Sequence, residues 1–163
     1  MKFFSVFVLY LCAICFANAD VLTQKPYEVC DVLDKVGLST RGDWKKEYDQ
    51  EYGCSSSYKQ IGSGRPLANN LAYYVEGNST TVRDAYLMLN INDKPSAGNA
   101  HKELVKAAQL LSKEIAGKEL TKPLVLALTK GANASEKVGN TMVEITKNTW
   151  PTGRGYDVKI LFR

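Results

Sequence analysis

The chain has 163 residues, 45% of them hydrophobic, and a formal charge of +4. Once a leader is removed, that length suits one compact domain. The mild positive balance lacks the dense basic face that nucleic acid requires, so no nucleic-acid partner is expected.

Residues 1–19 read as a signal peptide. Lys2 gives a positive start, Phe3 to Phe16 is nearly all apolar, and Ala17-Asn18-Ala19 supplies small residues around a cleavage point. The apolar run falls short of the roughly 20 residues a spanning helix needs. The residues before Cys12 and Cys15 are Leu11 and Ile14, too bulky for lipidation. Residues 20–163 are expected as a single secreted or periplasmic domain, with no membrane insertion after cleavage. Two cysteines remain, Cys30 and Cys54, and in an exported chain one disulfide is their simplest use. It closes a loop of about 24 residues, worth on the order of 3 kcal/mol by the chain-entropy argument.

Lys25 to Leu38 predicts a first helix. Val29, Val32, Leu33 and Val36 form an apolar stripe, Pro26 suits the first turn, and Gly37 suits the end. From Ser39 to Pro66 the chain reads mostly as loop. Arg41-Gly42-Asp43 is short enough to recur by chance. Trp44, Tyr48 and Tyr52 recur every four residues, which predicts one face of a short helix. Gly53 to Tyr58 reads as a loop held by the disulfide. Ile61-Gly62-Ser63-Gly64-Arg65-Pro66 is a Gly-rich turn without the Gly-Lys-Ser/Thr ending of a nucleotide loop.

Asn70 to Asn92 carries the best hairpin signal. NLAYYVEG and VRDAYLMLNIN flank a polar NSTT turn, with Ala85, Leu87, Leu89 and Ile91 on one side. After a Pro/Gly loop, Asn99 to Ala116 predicts an amphipathic helix with Ala100, Leu104, Ala108, Leu111 and Ile115 inward. His101 falls beside that stripe as a surface or boundary residue. Thr121 to Gly131 predicts a shorter helix, followed by a polar loop to Gly139. Asn140 to Asn148 and Tyr156 to Phe162 alternate as strands, joined by a turn that presents Trp150 and Arg154. The expected fold is α+β: a mostly antiparallel four-stranded sheet of two hairpins, packed against two or three helices.

Catalytic constellations are poorly supplied. No Gly-x-Ser-x-Gly elbow occurs, the lone histidine sits on a helix start, and metal ligands are too few and scattered. No cofactor or metal is expected. Asn78-Ser79-Thr80 and Asn133-Ala134-Ser135 match the glycosylation pattern. The function expected is that of a small exported, monomeric binding protein acting on another protein, with an inhibitor or immunity factor as one such role. Tyr58, Lys59, Arg65, Trp150 and Arg154 are its contact candidates, as aromatic anchors or as cations for an acidic surface. The alternatives are an envelope-polymer hydrolase and a periplasmic binder of a small ligand.

Overall fold

The computed structural model describes residues 25–40, 44–64 and 67–163. The expected signal peptide and the Arg41-Gly42-Asp43 motif lie outside the described residues.

The first predicted helix divides. Helix α1 (Pro26–Asp31) has Pro26 in its first turn, and a 3-10 turn (Asp34–Val36) follows, closed by Gly37 at φ 78°. Leu38 N–H bonds back to the Leu33 carbonyl at 3.2 Å. This tighter path sends both Leu33 and Leu38 into the core, where each is at most 1% exposed.

The fold is α+β, as expected, but among the described residues its sheet has eight strands rather than four. They are β1 (Lys45–Tyr48), β2 (Glu51–Ser55), β3 (Lys59–Ile61), β4 (Asn69–Gly77), β5 (Val82–Ile91), β6 (Ala134–Val138), β7 (Thr141–Thr149) and β8 (Tyr156–Phe162). Every pairing is antiparallel, in the order β1-β2-β4-β5-β8-β7-β6. Strand β3 lies beside β2 on the same edge of β4, pairing Asn69 to Leu71 while β2 pairs Tyr74 to Gly77.

The four strands expected from alternation are the long ones, β4, β5, β7 and β8. The others are short and lie toward the sheet's margins, where little is buried and alternation fades. Strand β1 is exposed along its whole length. The aromatic repeat that predicted a helix belongs to a β1–β2 hairpin instead. Trp44 is buried, Tyr52 is half-buried, and Tyr48 is 79% exposed, so the three share no face. Asp49, at φ 42°, makes the tight turn. Strand β6 replaces the polar loop expected before Gly139, and only Val138 of it is buried.

Helix α2 (Ala97–Ala116) crosses one face of the sheet against β4, β5 and β8. Helix α3 (Lys122–Lys130) packs on α2 and reaches β6 and β7. Between sheet and helices lies the core. Leu71, Tyr73 and Val75 of β4, Leu87 and Leu89 of β5, and Ile160 and Phe162 of β8 meet Leu104, Ala108, Leu111, Leu124 and Leu128. Two polar groups within it are satisfied. The Tyr73 hydroxyl donates to the Val29 carbonyl at 2.8 Å, and its burial pushes its pKa upward. Asn69, fully buried, accepts from the N–H groups of Asn92 and Asp93 and donates to the Asp93 carbonyl and Ser96 Oγ. That bond set fixes the exit of β5 into α2.

The disulfide Cys30–Cys54 is present, with Cα atoms 6.1 Å apart, and fastens α1 to β2. Among the described residues, no helix is long and apolar enough to cross a membrane.

Candidate functional site

A β-strand sends alternate side chains to opposite faces. Among the described residues, the three α-helices lie on one side, and the other set of each long strand stands on a face that none of them covers. From β4 this set is Asn70, Ala72, Tyr74 and Glu76; from β5 it is Asp84, Tyr86, Met88 and Asn90. From β8 come Asp157, Lys159 and Leu161, and from β7 Glu144, Thr146 and Asn148. The register aligns these across strands: Tyr74 faces Tyr86, which faces Leu161, and Asn70 faces Asn90, which faces Asp157. Asp157 in turn pairs with Asn148.

The centre of this face is aromatic. Tyr74 and Tyr86 stack with ring centroids 4.9 Å apart, a contact worth about 0.5–1.5 kcal/mol beyond buried area. Tyr58, in the link between β2 and β3, brings its hydroxyl to 3.4 Å from that of Tyr74. Partial burial, and then the Tyr58 hydroxyl, push the Tyr74 pKa up to about 12. Tyr86 donates to Glu76 Oε1 at 2.8 Å, while Lys159 Nζ sits 3.8 Å from its ring centroid. Burial first and the Glu76 hydrogen bond second raise the Tyr86 pKa. Both hydroxyls therefore stay protonated donors at neutral pH.

Beside the aromatics runs a row of amides ending in a carboxylate. Asn90 Nδ2 donates to Asn70 Oδ1 at 2.9 Å. Asp157 Oδ2 accepts from Asn148 Nδ2 at 3.3 Å and from the Trp150 indole N–H at 3.0 Å. Tyr58, Tyr74, Tyr86, Met88, Asn90, Asn148 and Asp157 line an open depression of about 490 Å³. A second, of about 280 Å³, adjoins it across Tyr74 and Tyr86, and a third, of about 190 Å³, lies between Lys159 and Arg163.

Ion pairs frame one end of the face. Arg83 binds Glu51 with two nitrogens at 3.0 Å and Asp84 at 3.0 Å, and Arg163 reaches Glu144 at 3.5 Å. Arg83 holds the Glu51 carboxyl below its ordinary pKa, chiefly by hydrogen bonding.

The structure distributes the sequence-predicted contact residues unevenly. Tyr58 is 61% exposed and lines the main depression, and Trp150 reaches the same place through Asp157. Lys59 points elsewhere: its ammonium donates to the Val36 carbonyl and to Glu103, both at 2.8 Å, tying β3 to the first turn and to α2. Arg154 is exposed at the β7–β8 tip, away from the depression's lining. Arg65 lies outside the described residues.

Tyr74, Tyr86, Asn90, Asn148 and Asp157 were not among the sequence candidates. The signal that identifies them is the outward register of each alternating strand, combined with the placement of the described helices on the opposite face. Tyr73, Tyr74 and Tyr86 by themselves suggest sheet packing, yet of these three Tyr73 faces the core while Tyr74 and Tyr86 stand on the opposite face. Among the described residues, no group of three or more His, Cys, Asp or Glu is arranged to hold a metal ion. The arrangement offers aromatic faces, hydrogen-bonding amides and a carboxylate on an open surface, which is a chemistry of binding. The chain matches no protein-family model, no curated protein and no solved structure.

Proposed function

We propose that this chain is an exported binding protein that engages a partner protein through the helix-free face of its sheet. The observation that carries this reading is the connected aromatic patch Tyr58–Tyr74–Tyr86, with Met88, on a face that no helix covers among the described residues. Tyr and Met are enriched at the buried centres of protein interfaces, and a polar rim that excludes water surrounds such centres. Here the Arg83 and Arg163 ion pairs and the amide row supply the rim. Rigid tyrosines lose little side-chain entropy on binding, and the stack holds two of them in place beforehand. The disulfide fits an oxidising compartment outside the cytoplasm. An inhibitor or immunity factor acts by this kind of surface complementarity.

The hydrolase alternative has weaker support. The carboxylates with shifted pKa values, Glu51, Glu103 and Glu119, all move down through pairing with Arg83, Lys59 and Lys113. None of these three is poised as a proton donor near neutral pH. The small-ligand alternative favours an enclosed apolar pocket, whereas the main depression is open and edged with amides.

The test is site-specific photocrosslinking in the cells that make the protein. A p-benzoylphenylalanine at Met88, in the patch, is expected to give a protein adduct of discrete mass. The same group at Lys106, on the exposed side of α2, is expected to give none, and Tyr74→Ala with Tyr86→Ala is expected to abolish the Met88 adduct. Equal adducts from both positions, or no protein adduct from Met88, would overturn the reading.

A further inference from the structure

This inference rests on the binding face just proposed. We propose that the anchor the partner inserts there is an arginine side chain seated against Asp157. The first observation is an imbalance of charge pairing. Glu51, Glu76 and Asp84 all lie within 3.9 Å of Arg83 nitrogens, and Glu144 lies 3.5 Å from Arg163. Asp157 has no cation within salt-bridge distance among the described residues, and its two hydrogen bonds come from neutral donors. Lys159, two residues along β8, directs its ammonium over the Tyr86 ring at 3.8 Å instead.

The second observation is what the neighbouring bonds leave over. Trp150 and Asn148 both donate to Asp157 Oδ2, so Oδ1 has no partner among the described residues. Asn148 spends a donor on Asp157, and Asn90 spends one on Asn70, while the side-chain carbonyl oxygens of both have no partner among the described residues. Three acceptors, one of them charged, therefore border the same depression. A guanidinium is the complementary group: it has five N–H donors, no acceptor and a permanent charge. Its flat face stacks on aromatic rings, and Tyr58 and Tyr74 line the same depression. A lysine ammonium supplies the charge but neither the fork nor the plane. The occupant that fits is a protein loop presenting arginine.

Two measurements test this. In the first, the full disulfide-bonded protein is titrated with N-acetyl-arginine N-methylamide while the Trp150 indole N–H and the Asn90 and Asn148 side-chain amides are followed by NMR. Saturable shifts of these signals are expected. The neutral citrulline analogue, or Asp157→Asn, is expected to weaken the response about tenfold or more, since hydrogen bonds to a charged partner carry the contact. Asp157→Asn keeps an acceptor for Trp150, and an unchanged Tm will show that the fold survives. Equal responses to arginine and citrulline, or a response to a neutral trisaccharide with none to arginine, would overturn the proposal. In the second, Asp157→Asn is introduced beneath the Met88 photocrosslinker, and loss of most of the adduct is expected. An undiminished adduct refutes the arginine anchor while leaving the binding face intact. Absence of any adduct in the parent protein refutes both.

Discussion

His101 has both ring nitrogens committed. Nδ1 lies 2.6 Å from the Leu128 carbonyl, so it carries the proton, and Nε2 accepts from the Tyr156 hydroxyl at 3.0 Å. The ring is therefore neutral and fixed in one tautomer, joining the start of α2 to the end of α3 and to β8. Burial lowers its pKa from 6.5, the Leu128 bond opposes that change, and Lys147 adds to it. Because the folded value is depressed, the stabilisation is fully present above 6.5 and is lost as pH falls through the folded value. The unfolded chain then takes up a proton that the folded ring resists. His101→Asn keeps a donor for Leu128 but cannot titrate. Its urea midpoint should be lower than the parent's at pH 7.5 and should fall less between pH 7.5 and 5.5; an identical fall in both proteins would remove His101 as the cause. The sequence places His101 beside the apolar stripe of α2 as a surface or boundary residue, yet it is only 5% exposed. Leu128 and Tyr156 close over it from other elements, and no periodicity within α2 encodes those contacts.

At the level of elements, legibility followed burial. The long strands β4, β5, β7 and β8 announce themselves by alternation because their core-facing residues are apolar. Strands β1 and β6 do not, since an outer strand is held by backbone bonds to one neighbour and needs few apolar side chains. The β7–β8 hairpin shows how a turn positions a side chain of the proposed face. Trp150 N–H and the Gly155 carbonyl close the turn at 3.1 Å, and Lys94 holds the Gly153 carbonyl at 2.7 Å. Gly155 lies under the indole, where an added Cβ would stand 2.4 Å from Trp150 Cζ3 and 2.3 Å from the Ile91 carbonyl oxygen. Gly155→Ala must therefore displace the indole, at a cost of about 1–3 kcal/mol for overpacking. In a Trp44→Phe background, where Trp150 is the sequence's remaining tryptophan, this variant should show red-shifted emission and a lowered Tm. Unchanged emission would mean that the tip absorbs a methyl group without releasing Trp150 from Asp157.

Across the whole molecule, the sheet order sets where the protein opens first. Strand β5 is paired on both sides, by β4 and β8, and is covered by α2. Strands β1 and β2 form a flank of the sheet, and the Cys30–Cys54 bond ties that flank to α1. The link that presents Tyr58 runs directly out of this flank, so the disulfide also holds one wall of the proposed binding face. Reducing it should lower global stability by about 3 kcal/mol, through the freedom returned to the unfolded chain. The loss should also be uneven, because local opening draws on the least-packed units first. Hydrogen exchange is expected to accelerate most in α1, β1 and β2, with β5 and β8 still protected, and the Met88 crosslink is expected to weaken as Tyr58 loses its support. Equal acceleration in every strand would show that the bond acts on the unfolded chain alone and that the face does not depend on it.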